Sequence, residues 1–367
     1  MAINVDTYRG LMNARYANHM AFLTECLIPI TNARKTIKVG THNESFHCDE
    51  VMAIAMVEAL AEKLGATCEI HRINRKDQEM LNSMDILVDV GRELDPARGR
   101  FDHHQVGGAG RRISRNGDKD IPFSSCGLIW YTMGLVLTGE ENQAVHAKLG
   151  DDIPATLAFD KIDRELVRGI DASDNGVGMP SGYRINEEDG SVTDVAGSPM
   201  HLSRLIGQFN SGNPHDHEAQ YAQFTAALNV ARAVFANALR DAKTFAEARP
   251  QLEKAVRSKR EVPEVLILDR YLRWSDHLNQ VDRFGEIKVV ISPLGGDHDE
   301  WNLHVVRRRG RLVLSGAPAD WCGKEGQALE KASGINGMVF CHGGGHMVRV
   351  NGKDAALEVA SRLLKAA

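Results

Sequence analysis

Histidine and aspartate recur in this chain at spacings that suit the binding of a divalent cation. In Arg100-Phe101-Asp102-His103-His104-Gln105, three adjacent side chains able to ligate a hard or borderline metal follow the apolar run Ile86-Leu87-Val88-Asp89-Val90. That run reads as a buried strand carrying its own carboxylate, Asp89. Neighbouring residues of a strand point to opposite faces, but at a strand end or turn both histidines can aim near one point. Asp-His-His alone is a weak signal, because histidine also serves as a core or surface residue. It is strengthened by Thr41-His42-Asn43-Glu44-Ser45-Phe46-His47-Cys48-Asp49, which follows another short apolar run, Ile37-Lys38-Val39. Segments that leave strands of one parallel sheet meet at its carboxyl edge, where ligands gather. A third source of ligands is Ile170-Asp171-Ala172-Ser173-Asp174-Asn175-Gly176. If helical, Asp171 and Asp174 share a face and Gly176 ends the helix. The helix dipole disfavours two carboxylates there, so an opposite charge such as a bound metal should sit beside them.

The elements that must position these residues follow from the apolar pattern. Strands are expected at 36–40, 67–73 and 85–90, separated by helices at 51–64 and 78–84. This β-α-β-α-β order predicts a doubly wound parallel sheet. Helices are then expected at 124–137, 141–149 and 153–170, a short one at 201–209, and a long one over 216–254, broken or bent near Pro250. From Val262 the pattern changes to short strands at 265–268, 287–291, 301–306, 311–314 and 338–340, with helices at 326–332 and 354–364, an α/β unit with a mixed sheet. The chain therefore divides into an N-terminal extension (1–35), a metal-binding α/β domain (36–213), a connecting helical segment (214–257) and a smaller C-terminal domain (258–367).

Two loops could meet an anion. Gly107-Gly108-Ala109-Gly110-Arg111-Arg112, with Arg115 and Lys119 nearby, either closes over a phosphate or is a solvated surface loop. Cys341-His342-Gly343-Gly344-Gly345-His346 follows a strand; its glycines either bring backbone amides close to an anion or form a tight turn, and His346 either meets a phosphate or caps that turn. Arg307, Arg308, Arg309 and Arg311 read as a solvated hairpin tip or as a track for a polyanion. His215 and His217 read as cap or surface residues.

With 367 residues, 43% hydrophobic and 25% charged, and a net charge of −5, the chain has the composition of a globular protein and no global basic field. That excludes a dedicated nucleic-acid scaffold but leaves room for a local basic groove. The six cysteines form no C-x-x-C pair, which suits free thiols in a reducing, cytoplasmic setting. Cys48 reads as a helix-start residue facing the core. No apolar run reaches the length of a membrane span, and no signal peptide is expected.

Taken together, Gly40-Thr41-His42-Asn43, Phe46-His47-Cys48-Asp49-Glu50, Val88-Asp89-Val90-Gly91, Asp95-Pro96, Phe101-Asp102-His103-His104-Gln105 and Asp171-Ala172-Ser173-Asp174-Asn175-Gly176 resemble the melanocyte-proliferating-gene protein family, within the DHH phosphoesterase superfamily. The resemblance runs from about Thr36 to the C-terminus. It implies a DHH-type catalytic domain with a two-metal centre, usually Mn2+, with Mg2+ or another divalent ion as alternatives. By position His42, His47, Asp49, Asp89 and His103 match metal ligands, with Asp89 bridging. His47 stands where many relatives have aspartate and would add a neutral ligand. His104 matches a phosphate-contacting residue, Asp102 a ligand or an orienter behind one, and either Asp171 or Asp174 the fourth-motif carboxylate. Gly343, Gly344, Gly345 and His346 are similar to a substrate-binding glycine motif, which implies that the C-terminal domain grips the substrate.

The function so implied is a 3'-5' exonuclease or oligonucleotide hydrolase acting on RNA or short oligonucleotides through a metal-activated water. Hydrolysis of a small phosphoanhydride or a cyclic dinucleotide is the alternative within enzymes. A non-catalytic nucleic-acid-binding protein is the alternative outside them, and a full ligand set argues against it. A homodimer is compatible with the sequence, and no membrane partner is expected.

Overall fold

The alternation beginning at Thr36 becomes, in a computed structural model that describes residues 21–112, 120–139, 153–177, 183–185, 192–194, 201–213, 215–295 and 299–366, the strand β1 (Thr36–His42). Ile37 and Val39 are fully buried on one of its faces. On the other, Gly40 has no room for a side chain, since a Cβ there would lie 2.7 Å from Ile73 and 2.8 Å from Leu87 and Met84. Helix α2 (Cys48–Lys63) leads to β2 (Thr67–Ile73), and α3 (Gln78–Asn82) leads to β3 (Ile86–Val88). Helix α1 (Ile28–Ala33) precedes them.

Residues 94–95 (β4) and 100–101 (β5) complete a five-stranded sheet of order β2-β1-β3-β5-β4. Strands β2, β1, β3 and β5 run parallel and β4 is an antiparallel edge. β4 and β5 are too short to announce themselves in the hydrophobic pattern; pairing with β3 makes them strands. Chain reversal between the β1→β2 and β2→β3 crossovers puts a topological switch point between β1 and β3, where doubly wound sheets bind ligands. The two crossovers cover opposite faces. Leu81 and Met84 pack with Ile73, Leu87 and Val90 on the α3 side, and α2 packs between the other face and α4 (Ser125–Thr138). The amino group of Lys63 donates to Val136 O (2.7 Å) and Gly139 O (2.6 Å), joining the C-terminal ends of α2 and α4.

Within the 1–35 segment, a π-helical turn, Phe22–Leu27, precedes α1 and sinks Phe22 edge-on against Phe101, with ring centroids 5.1 Å apart. The expected 153–170 helix is realised as α5 (Ile153–Ile162), a π-helical turn (Asp163–Val167) and α6 (Arg168–Asp174). Short strands β6 (Tyr183–Ile185) and β7 (Val192–Asp194) pair antiparallel, and α7 (Leu202–Gly207) follows. The expected helix at 141–149, like Arg115 and Lys119, lies outside the described residues.

Helix α8 (His217–Arg257) runs 41 residues and contains Pro250 inside it, so of the expected break or bend there the break does not occur. A proline removes one backbone donor; the turns on either side keep theirs. The chain divides into two compact units, Met1–Lys243 and Thr244–Ala367. The second is built on a mixed sheet of order β13-β14-β10-β9-β8, with β8 (Val265–Ile267) parallel to β9 (Val289–Pro293), and β10 (Glu300–Val305), β13 (Met338–Cys341) and β14 (Met347–Asn351) antiparallel to their neighbours. Two short helical turns, Trp274–Asp276 and α9 (Leu278–Val281), precede β9. Helix α10 (Gly326–Ser333) buries Leu329, and α11 (Lys353–Lys365) buries Ala356, Val359, Ala360 and Leu363, an i, i+3, i+4, i+7 stripe that seals this core. A small hairpin, β11 (Arg307–Arg308) and β12 (Arg311–Leu312), carries the arginine run. Its Arg308 is taken by Asp282 (2.5 Å) and Asn279 (3.1 Å).

Replacing Phe22 by alanine removes a fully buried ring from the edge of the first core. We expect Phe22→Ala to cost about 3–5 kcal/mol in denaturant unfolding of the first unit; a change below ~1 kcal/mol would show that the segment does not belong to this core.

Candidate metal centre

β1 ends on His42, Asp89 directly follows β3, His103 lies two residues past β5, and Asp49 and Glu50 stand in the first turn of α2, so the sheet's carboxyl edge and one helix start deliver these groups to one place. Asp89 follows β3 with a left-handed backbone (φ 57°), an uncommon conformation that aspartate tolerates better than most side chains. The turn it opens is pinned by Asp102, whose carboxylate accepts from Arg92 N–H (2.6 Å). Helix α2 is capped by Glu50, which accepts from His47 N–H at 2.9 Å.

The side chains converge closely. His42 Nε2 lies 3.3 Å from Asp89 Oδ2 and 3.2 Å from Glu50 Oε1. His103 Nε2 lies 3.3 Å from both Asp89 Oδ1 and Asp174 Oδ2, and 3.9 Å from Asp49 Oδ2. His104 Nδ1 lies 3.2 Å from Asp89 Oδ1 and 2.9 Å from Asp102 Oδ1. Among the described residues, three sets of ligand atoms each fall within 4.8 Å of one another: Asp89, His103 and His104; His47, Asp49, Glu50 and Asp89; and Asp49, His103 and Asp174. Asp89 belongs to two of these sets, and so does Asp49.

The approach distances suit ion pairs, yet most are not directed as hydrogen bonds. His42 Nε2, His103 Nε2 and Asp49 Oδ1 are buried without a hydrogen-bond partner among the described residues. Unpaired polar atoms in a native interior are costly. Here they are nitrogen and carboxylate-oxygen donors aimed at a common space, a set that fits hard or borderline divalent cations.

The electrostatics agree. Burial pushes the Asp49 carboxyl well above its usual range, reinforced by the charges of Asp89, Asp174 and Glu50. Burial likewise raises Asp174. Burial opposes ionisation of Asp89, but its contacts with His103, His104 and His42 outweigh it and hold the carboxyl well below the usual range. Burial would lower His42, yet Asp89 and Glu50 bring it up to about 9. His104 rises to about 10 through Asp102 and Asp89.

Several sequence candidates take other places. Asp174 reaches the cluster, whereas Asp171, fully buried, is bound by Arg112 Nε (2.7 Å), Ser124 Oγ (2.7 Å) and Gly127 N–H (3.0 Å). Asp171 thus anchors the N-terminal turn of α4, where Ser125 Oγ in turn lies 3.4 Å from Asp89. Gly127 is obligatory, because a Cβ there would sit 2.3 Å from the Asp171 carboxylate. Arg112, read from sequence as a phosphate contact, is only 8% exposed and is held by Asp171 and Asp163, each at 2.7 Å. Its charge is already spent on two carboxylates, which corrects that expectation. Arg111 is exposed and paired with Asp120. Cys48 starts α2 buried, burial pushes its thiol up to about 12, and it is not among the residues that share the cluster. Glu50, which is not among the ligands expected from sequence, is fully buried inside the cluster. Its adjacency to Asp49 was the available signal. Ser124 and Ser125 carried none.

In the second unit, residues 342–346 link β13 to β14. Gly343 and Gly344 are exposed, while Gly345 is buried with φ 65°, and a Cβ on it would lie 3.2 Å from the backbone of Ala317. Gly345 therefore serves the turn itself, and the Gly344 N–H donates to His342 Nδ1 (2.9 Å), which narrows the anion-binding expectation to Gly343 and His346.

Fold and site together define a two-unit α/β protein with a His/carboxylate metal-binding cluster at the switch point of its parallel sheet. Residues 38–364 match the model of the family MYG1_exonuc, described as an uncharacterised protein family (UPF0160), and the chain belongs to this family. It is 28% identical to the human protein named MYG1 exonuclease, with 95% of this chain and 92% of that protein covered, and 28% identical to the Dictyostelium discoideum MYG1 protein, with 89% and 96% covered. The human and bovine relatives are named exonucleases, and the chain is an enzyme of the hydrolase class. Among solved structures it is similar to exonuclease RecJ bound to manganese (13% identity, 96% of this chain and 93% of that one, TM-score 0.25). A pGpG-specific phosphodiesterase from Vibrio gives 10% identity, 90% and 98% coverage and a TM-score of 0.23. Scores this low bear on neither fold nor function.

Because His42, brought up to about 9 by Asp89 and Glu50, holds a proton at neutral pH, metal binding must displace it. Calorimetric titration with Mn2+ at pH 7 should give an enthalpy that varies with the ionisation enthalpy of the buffer, and affinity should rise as pH is raised from ~6 to ~9. A buffer-independent enthalpy would contradict this electrostatic account. For the glycine turn, Gly345→Val should lower the melting temperature of the second unit, whereas Gly343→Val, with open space around it, should leave it within about 0.5 kcal/mol of wild type; equal losses would contradict the distinction.

Proposed function

We propose that this chain is a metal-dependent phosphoesterase that works as a 3'-5' exonuclease on RNA or short oligonucleotides, with two Mn2+ ions as preferred cofactors and Mg2+ as a substitute. The observation that carries the reading is the convergence of Asp49, Asp89, His103 and Asp174 with unpaired ligand atoms at the switch point. The exonuclease name of the mammalian relatives supports a nucleic-acid substrate. Divalent cations in such a site lower the pKa of water and neutralise phosphoryl oxygens during in-line displacement.

In this proposal Asp89, shared by two of the ligand sets, would be the central ligand, and His42, His47, Asp49, His103 and Asp174 would complete the set, with Glu50 beside His42. Whereas His42 is buried and His103 nearly so, His104 is exposed. With Nδ1 held by Asp102 at 2.9 Å, it keeps Nε2 for a phosphoryl oxygen or a leaving group. Its raised pKa, about 10, keeps it cationic at neutral pH, as either role requires. Gly343 and His346 would supply backbone and imidazole donors for the substrate's phosphates, while the Gly344 N–H donates to His342 Nδ1 (2.9 Å) and shapes the turn. All six cysteines are free thiols, which suits the cytoplasm.

End-labelled RNA, DNA and small phosphodiesters incubated with Mn2+ test the assignment. Stepwise release of mononucleotides from the 3' end is expected; cleavage of cyclic dinucleotides alone would move the reaction to small substrates. Asp89→Asn should fold normally and lose more than ~100-fold in turnover, beyond what a residue merely supporting a ligand costs. Near-normal hydrolysis by the folded variant would remove Asp89 from the mechanism.

A further inference from the structure

The loop that carries His42 at its entry and His47, Asp49 and Glu50 at its exit is held by a side chain outside the metal cluster. Arg72 lies near the end of β2, opposite Thr41 of β1 in the parallel register. Its guanidinium reaches over the end of β1. Nε donates to His42 O (3.1 Å), one terminal amino group donates to Glu44 O, and the other to Gln220 O (3.3 Å) in the first turn of α8. The ion also stands against two buried aromatic rings, with its central carbon 5.3 Å from the centroid of Phe46 and 4.7 Å from that of Phe224. Those rings meet edge to face at 5.4 Å. Phe46 is further fixed by Asn210, which accepts from its N–H (2.9 Å) and donates to its carbonyl (2.8 Å).

Three carbonyls from two separate segments are thus gathered by one planar fork, and all three acceptors are backbone oxygens rather than carboxylates. A surface ion pair would be served equally well by lysine. A fork spanning three divergent carbonyls is not, because an ammonium is a point charge without that fixed geometry. Two of the acceptors, His42 O and Glu44 O, belong to the loop joining the β1 ligand to the α2 ligands. The third ties that loop to α8.

We infer that Arg72 is a positioning residue for the metal centre, setting the separation between His42 and the His47/Asp49/Glu50 group and so the fit of the cation between them. The inference rests on the metal-centre reading proposed above. It extends that reading to a residue that makes no contact with the cation.

The test uses the full-length chain in three variants. Arg72→Met keeps the apolar packing on Phe46 and Phe224 but removes all three donors, and Arg72→Lys keeps the charge and at most part of the bonding. Arg232→Met removes a different tether of α8, the Arg232–Glu58 pair (2.7 Å), without touching the loop. Calorimetric Mn2+ affinity is expected to fall by about 10–100-fold in Arg72→Met, the range seen when a support of a metal ligand is lost. A smaller fall is expected in Arg72→Lys, and none in Arg232→Met. Hydrogen exchange of the 42–50 segment in the metal-free protein should rise in both Arg72 variants and stay at the wild-type level in Arg232→Met. Wild-type affinity in a folded Arg72→Met, or equal losses in Arg72→Met and Arg232→Met, would overturn the inference. If Arg72→Met fails to fold, an unchanged affinity in Arg72→Lys overturns it. Failure of the wild-type protein to bind Mn2+ would overturn both this inference and the metal centre, whereas Mn2+ binding without hydrolysis would refute the proposed reaction alone.

Discussion

Three carboxylates, Asp49, Asp89 and Asp174, are packed with little or no access to solvent around His42 and His103, and a cluster of that sign is unstable unless positive charge enters it. Burial and the neighbouring carboxylates push Asp49 and Asp174 upward, while the surrounding imidazoles hold Asp89 below the usual carboxylate range. A divalent cation satisfies the requirement for positive charge without protonating its ligands. Much of the first unit serves to hold this charge arrangement together.

The supporting structure is arranged in layers of hydrogen bonding. The switch point between β1 and β3 brings two strand ends side by side, and the helix dipole of α2 favours the acidic pair at its start. Behind Asp174, the Asp171–Arg112–Asp163 network fixes α6 against the first turn of α4, and that turn presents Ser125 to Asp49 and Asp89. Asp102 ties the turn after Asp89 to His104. A buried carboxylate therefore need not be a ligand to matter. Asp171 and Asp102 act by orienting what surrounds the cation.

Sequence made much of this legible because periodicity reports burial. The strands at 36–42, 67–73 and 86–88 and the helices between them follow from alternation and from the punctuation of Gly65. Ligand candidates could be grouped because each followed a strand. What pattern could not resolve was the partner of each charge. Asp171 and Asp174 look equivalent three residues apart, and only the position of Arg112 across the fold separates them. Arg112 looked free in a glycine-rich loop because the carboxylates that bury it lie more than 50 residues away. Glu50 and Arg72 were missed for the same reason: their roles depend on tertiary contacts, with His42 in one case and with three carbonyls in the other. β4 and β5 escaped because two-residue strands have no period.

The central claim is that the sheet's carboxyl edge holds cations between Asp89 and its neighbours. Diffraction from crystals equilibrated with Mn2+, recorded at the manganese absorption edge, tests it most directly. The account predicts anomalous peaks within ligand distance of Asp89, flanked by Asp49, His103 and Asp174. Peaks confined to other surfaces, or none at Mn2+ concentrations that saturate binding in solution, would contradict it.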